Sequence, residues 1–272
     1  MTPDELLRTV ERSPACVAAQ DREGWLALFT RDGVVEDPVG AAPNPRPALG
    51  RFYDTFIRGN EIRFEVEADL SAGDEVVRDV IIHTRLSTGL RIDVPAHLLY
   101  EVAVEDGAPK IRRMRAIWDL RARTTSALRT GPRGLWTLGV VFAVMLREQG
   151  TRRVLGYSRG LLSGIFARGP AAARRLAEAL TAGDADALAR LFTPAAALEY
   201  PAGAPRTVAD LLARLGPGAA LRIAKVIAAG WLTAFRFTVE GGAAAGESGV
   251  AILEFDPETR AIARARFFLR AP

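Results

Sequence analysis

One stretch of this sequence occurs twice. Asp21, Leu28-Phe29-Thr30, Glu36, Pro38, Gly40 and Ala41 recur, without gaps, as Asp184, Leu191-Phe192-Thr193, Glu199, Pro201, Gly203 and Ala204, every pair 163 positions apart. The two copies also end alike: Ile111-Arg112-Arg113-Met114-Arg115 is answered by Ile262-Ala263-Arg264-Ala265-Arg266, 151 positions on, so the second copy is shorter by about a dozen residues. Similarity at a fixed offset means one structural unit written twice. The 272 residues are enough for two domains of ordinary size. We therefore expect domains over residues 1–122 and 171–272, joined by a helical connector over 123–170.

Within the first copy, Thr2, Pro3 and Glu5 form a helix start with a capping box, opening a helix over Pro3–Ala19. A second helix over Glu23–Phe29 shows an apolar face of Trp25, Leu26, Leu28 and Phe29. A short strand, Gly33–Glu36, a Pro-rich loop and a helix over Ala48–Ile57 follow. Four β-branched, apolar segments complete the copy: Ile62–Leu70, Val76–Leu86, Leu90–Val104 and Lys110–Ala122, separated by Gly-containing or acidic turns. Helices followed by a meander predict an α+β domain with helices packed on one face of a curved antiparallel sheet.

Charge is distributed unevenly. Residues 121–175 hold eleven Arg against Glu148 alone, a net of +10, so the overall +4 leaves −6 for the remainder. The high pI thus describes a joint, and without a recognisable motif or interleaved aromatics we expect no nucleic-acid partner. Two readings of the connector are open: buried helices between the domains, or a basic, apolar hairpin in peripheral contact with an anionic membrane. Its apolar run, Leu135–Leu146, is shorter than the roughly 20 residues of a spanning helix. The N-terminus has neither the basic nor the apolar region of a signal peptide, so the expected location is cytoplasmic, with that possible contact at the membrane. The one cysteine, Cys16, excludes an intramolecular disulfide. His83 and His97, the only histidines, give no metal-ligand spacing, so neither metal nor cofactor is expected.

Chemistry centres on Val34-Val35-Glu36-Asp37-Pro38-Val39-Gly40. Asp37 ends a strand against a residue that cannot donate a hydrogen bond, which fits an Asx-type turn as well as a catalytic carboxylate. This string, with Asp21, Leu28-Phe29-Thr30, Arg51-Phe52-Tyr53 and Met114-Arg115-Ala116-Ile117-Trp118, resembles the ketosteroid isomerase-like and SnoaL-like branch of the nuclear-transport-factor-two-like superfamily. The resemblance covers about the first 120 residues, and the repeat extends it to a tandem of two such domains.

The resemblance implies a cone-shaped α+β barrel of the cystatin-like type holding an apolar ligand, with the Asp at the position of Asp37 as general base. It implies double-bond isomerisation by proton transfer in a steroid- or polyketide-type carbonyl compound. A dienolate forms and its oxygen needs preorganised donors. A family Tyr that serves as donor falls on Ser13, Tyr53 matches a supporting Tyr, and the second donor falls on Ala96 beside His97. A bulge near Pro95 would turn His97 into the cone, because a one-residue slip reverses every side chain. Asp37, Tyr53 and His97 are the expected catalytic set, and Trp118, Phe52 and Asp93 the expected substrate-binding set. An opposed carboxylate, Glu65 or Glu67, would instead suit a polyketide epoxide hydrolase or cyclase; a third possibility is a non-catalytic, membrane-associated binder of lipophilic ligands. In the second copy Tyr200 stands for Asp37 and Leu269 for Trp118. That copy is expected to be a structural partner in an intramolecular pseudo-dimer.

Overall fold

The computed structural model describes residues 1–270, and of Arg152, Arg153, Tyr157 and Arg159 the backbone alone. Three of the connector's arginine side chains therefore lie outside the described residues. The chain forms two compact units, residues 1–69 with 74–163, and residues from 164 onward with 70–73.

The first unit opens on α1 (Pro3–Ala18). Its capping box is formed: the Glu5 N–H donates to Thr2 Oγ1 (3.3 Å) and the Thr2 N–H to the Glu5 carboxylate (2.7 Å). Leu6, Val10 and Val17 recur at helical spacing and are buried, and Ser13 sits buried in the same stripe. Then come α2 (Arg22–Ala27), β1 (Phe29–Glu36), the two-residue β2 (Asn44–Pro45) and α3 (Leu49–Phe56). Four long strands follow: β3 (Glu61–Ala72), β4 (Glu75–Arg85), β5 (Arg91–Glu105) and β6 (Ala108–Ile117).

The sheet runs β2-β1-β6-β5-β4-β3. The expected α+β layer of helices on a curved sheet is present; the sheet is not closed, and it is mixed because one strand joins in the parallel sense. β4, β5 and β6 are antiparallel neighbours, but β1 lies parallel to β6. Those two are joined by a long crossing connection rather than a hairpin, which permits the parallel sense. β6 also stops at Ile117, short of the predicted Ala122, because Asp119 accepts the Ala122 N–H (2.8 Å) and caps a new helix.

That helix, α4 (Leu120–Arg129), and α5 (Pro132–Gln149) and α6 (Thr151–Leu162) group with the first unit. The Ala42 N–H donates to the Gly156 carbonyl (3.1 Å), and a Cβ on Gly156 would stand 2.5 Å from that of Ala42, so glycine is what lets α6 approach the loop after β1. Thr137 of α5 bonds Thr88 in the β4–β5 turn (3.2 Å between hydroxyl oxygens). Among the described residues no helix is long and apolar enough to cross a membrane.

The second unit repeats this order: α7 (Arg168–Ala182), α8 (Ala185–Ala189), β7 (Phe192–Glu199), β8 (Pro205–Arg206), α9 (Val208–Leu215), β9 (Ala220–Ala229), β10 (Leu232–Glu240), β11 (Ser248–Phe255) and β12 (Ile262–Leu269). Its sheet runs β8-β7-β12-β11-β10-β9, with β7 parallel to β12. Each unit is thus an α+β layer of helices on a curved six-stranded sheet. The repeated residues have repeated tasks. Asp21 and Asp184 accept the Gly24 and Ala187 N–H groups, both at 2.8 Å, and cap α2 and α8. Gly40 and Gly203 turn the chain at φ 95° and 85°, where side chains are strained. Glu36 pairs with Arg113 (3.7 Å) as Glu199 does with Arg264 (2.7 Å).

The interiors differ. In the second unit the Tyr200 ring lies 5.2 Å from Phe267 and 6.3 Å from Phe237, all three buried, and its hydroxyl donates to Glu247 (2.6 Å). Aromatic packing occupies the space beside the Tyr200–Pro201 segment. Phe267→Ala is expected to lower the unfolding free energy by about 3–5 kcal/mol, the cost of an unfilled aromatic site. Urea titration followed by near-ultraviolet circular dichroism measures it, and a loss below about 1 kcal/mol would mean that the interior is not close-packed.

Candidate active site

At the end of β1, the Val39 N–H donates to the Ala116 carbonyl of β6 (2.9 Å). This carries Asp37 to Trp118, whose indole Nε1–H donates to Asp37 Oδ1 at 2.6 Å. Pro38 offers no N–H of its own. The carboxylate forms part of the wall of a cavity of about 280 Å³ in the first unit, otherwise lined largely by apolar side chains such as Val17, Phe52, Phe64, Ile82, Leu98 and Met114. Burial pushes the Asp37 pKa up to about 6 against the opposing pull of the Trp118 hydrogen bond. A base with a pKa near neutrality, in an apolar cavity, is suited to removing a proton from carbon.

A second polar group shares the cavity. Tyr100, on β5, lines it, and burial pushes its phenol up to about 12, with the negative charge of Asp37 adding to the effect and Arg78 and a hydrogen bond from Ser13 opposing it. Ser13 Oγ itself accepts from Trp25 Nε1 (3.1 Å). Trp25 to Ser13 to Tyr100 is therefore a chain of polarised donors. The phenol stays protonated across the ordinary pH range and has a proton to give.

Of the residues expected at the site, the fold brings Asp37, Trp118 and Phe52 to one cavity. His97 is elsewhere. The β4–β5 register runs unbroken from Glu75↔Glu101 to Arg85↔Arg91, with no bulge at Pro95. Ile92, Val94, Leu98 and Tyr100 line the cavity, so His97 points to the other face, where it is buried with Nδ1 3.3 Å from Asp79. Asp93 shares that outward face and holds His83 Nδ1 at 2.7 Å. Tyr53 packs in the core with its ring 5.6 Å from Trp25, outside the cavity lining; its hydroxyl has no hydrogen-bond partner among the described residues, and burial raises its pKa. Glu65 binds His83 Nε2 (3.1 Å) on the exposed side of β3, opposite the cavity-lining Ile62 and Phe64, and Glu67 takes the same parity. Asp37 is thus the only carboxylate of the cavity lining among the described residues. Among them, too, no group of three His, Cys, Asp or Glu is gathered as a metal would need.

Tyr100 and the role of Ser13 were missed by gapless matching. A match without gaps from Asp37 places one donor on Ser13 itself, and the match at Asp93-Val94 places the other on Ala96, so neither reaches Tyr100. Two signals were present: a Ser in the buried stripe of α1, and a phenol in the inward series of β5. Helices α4 and α5 were not expected here either, yet Leu120, Thr124, Thr137 and Val141 complete the wall.

Because the folded-state pKa of Asp37 exceeds its ordinary 3.8, the folded protein holds the extra proton between about pH 4 and 6, and stability declines as pH rises through that window. Asp37→Asn removes the decline. At pH 7.5 the variant is expected to be more stable by about 1–3 kcal/mol, read by thermal unfolding, with no gain at pH 4. Equal stability at both pH values would show that the carboxylate is not held in a desolvated site.

The family described as "SnoaL-like domain" matches residues 10–114 and again 173–266. Among solved structures, a Mycobacterium tuberculosis protein in complex with estradiol-17β-hemisuccinate is 32% identical, over 43% of this chain and 95% of that one, with a TM-score of 0.39. The Δ5-3-ketosteroid isomerase from Mycobacterium sp. gives the same identity, coverage and TM-score: 32%, 43% and 95%, and 0.39. A LEH-like epoxide hydrolase of M. tuberculosis is 20% identical over 50% of this chain and 96% of that chain, with a TM-score of 0.40. With the family's pattern matched in both copies, over well more than half of its length, the chain belongs to the SnoaL-like domain family, as a tandem of two such domains.

Proposed function

We propose that the first unit is a cofactor-independent isomerase that moves a proton, and with it a double bond, in a hydrophobic carbonyl compound of steroid or polyketide type. The observation that carries this reading is a lone carboxylate with a near-neutral pKa in an apolar cavity that also holds a protonated phenol. Asp37 takes a proton from the carbon next to the carbonyl. The electron pair passes through the conjugated system onto the carbonyl oxygen, where the Tyr100 O–H, polarised by Ser13, stabilises the dienolate. Asp37, now a carboxylic acid, returns the same proton to the far carbon. Atoms and charge balance without any co-reactant. Acid-assisted epoxide opening is less well supported, since it needs a second carboxylate and Glu65 and Glu67 lie on the other side of β3.

Asp37→Asn is expected to lower kcat by at least about a thousandfold while leaving ligand affinity nearly unchanged, and Tyr100→Phe to lower kcat by about 100- to 1,000-fold, the usual effect of losing one donor to a developing oxyanion. Trp118→Phe removes a bond that favours the charged carboxylate, so the acid limb of the pH–rate profile moves upward by about one unit. The assay is the absorbance change of a β,γ-unsaturated ketone becoming conjugated. Full turnover by Asp37→Asn would sink the mechanism.

A second reading concerns where such a ligand is met. Six of the nine exposed large apolar side chains among the described residues fall between positions 128 and 162. On α5 they are Leu135, Trp136 and Phe142, 60%, 69% and 52% exposed, while Thr137 and Val141 of the same helix line the cavity. Exposed Arg129 and Arg133 flank them. We infer that α5 rests on an anionic lipid surface, with rings in the interface and arginines at the headgroups, each charge adding about 1 kcal/mol. The protein is expected to float with vesicles containing 30% phosphatidylserine and not with pure phosphatidylcholine, and Trp136→Ser with Phe142→Ser to abolish flotation. Indifference to both changes would overturn it.

A further inference from the structure

Among the described residues two charged side chains line the cavity, Asp37 and Arg123. Arg123 belongs to α4 and takes no part in the proton transfer. Its Nη1 donates to the Asp93 backbone carbonyl (2.7 Å), and no carboxylate among the described residues pairs with it. Three other polar side chains of the lining are already engaged. Thr124 Oγ1 donates to the Leu120 carbonyl (2.8 Å), Thr137 bonds Thr88 (3.2 Å), and Asn60 gives its amide to Phe56 (3.0 Å) and takes the Ser87 N–H (3.0 Å). The remaining guanidinium N–H groups are the strongest unfilled donors of the lining.

Arg123 and Asp37 stand at different levels of the sheet. Asp37 stands two residues before the Val39–Ala116 bond, and Ala116 is paired with Leu98. Arg123 is tied to Asp93, five residues back along the same strand. At roughly 3.3 Å per residue this is about 16 Å of strand. A ligand whose carbonyl reaches Asp37 and Tyr100 thus has its far end near a fixed cation. We propose that the natural ligand of this cavity is a lipophilic acid, an apolar polycyclic or long-chain body with a carboxylate, sulfate or phosphate at the end remote from the reacting carbonyl, and that Arg123 pairs with that anion. A planar guanidinium already oriented by one bond offers an oxyanion a ready fork of donors. The proposal deepens the reading of the cavity as a lipophile site and makes α4 part of its specificity.

The test is equilibrium binding of two fluorescent probes that share one apolar body, neutral N-phenyl-1-naphthylamine and anionic 1-anilinonaphthalene-8-sulfonate. The full chain is expected to bind the sulfonate at least tenfold more tightly, and Arg123→Gln to remove that preference while leaving the neutral probe within about twofold. Thr84→Trp, which crowds the cavity wall, should weaken both. A wild-type chain that binds the neutral probe but does not prefer the sulfonate overturns the role of Arg123 alone. Equal loss of both probes in Arg123→Gln reduces the arginine to a clamp between α4 and β5 and also overturns it. A preference that survives Thr84→Trp places the anion outside the cavity, which likewise removes Arg123 from ligand recognition there. Failure of both probes to bind overturns the lipophile site itself, and proton transfer by Asp37 is read separately from the turnover assay.

Discussion

Everything in the first unit is arranged around the cost of keeping one carboxylate poorly solvated. A carboxylate removed from water must be compensated or it takes up a proton. Asp37 has one strong hydrogen bond, from Trp118, and is otherwise faced by an apolar wall. That single bond depends on long-range geometry: β1 must lie parallel to β6, the Val39–Ala116 bond must form, and β6 must end where Trp118 can turn back. The crossing connection that gives the sheet its mixed sense thus sets the electrostatics of the site.

The remaining polar groups follow from that arrangement. The polar groups beside it come from elements distant in sequence, α1 through Ser13, α2 through Trp25 and β5 through Tyr100. Each is held by packing, since the Trp25 ring is clasped among Phe29, Phe52 and Tyr53. Tyr53 thus packs against the indole that donates to Ser13, with its own ring outside the cavity lining.

Much of this was legible in the sequence where local chemistry decides. The capping box at Thr2, the caps at Asp21 and Asp184, and the left-handed glycines 40 and 203 are set within a few residues, and the repeat exposed them because they recur. Asp37, Phe52 and Trp118 were found because a motif carries them. His97 and Asp93 were misplaced because facing depends on register, and one irregularity assumed at Pro95, rather than between Glu101 and Val102, exchanges the two faces of β5. The parallel sense of β1 and the contribution of α4 and α5 to the wall were not legible, since both arise from contacts between segments whose pairing no local pattern encodes.

The two copies divide a burden that a single domain must carry alone. A site that desolvates a charge and keeps a cavity open gives up packing, and substitutions that would repair either defect also remove the activity. In the second unit the repair has been made: a phenol replaces the carboxylate, and Phe237 and Phe267 close on it. One fold is thus written twice in a single chain, once around a cavity that holds a buried carboxylate and once around a cluster of aromatic rings.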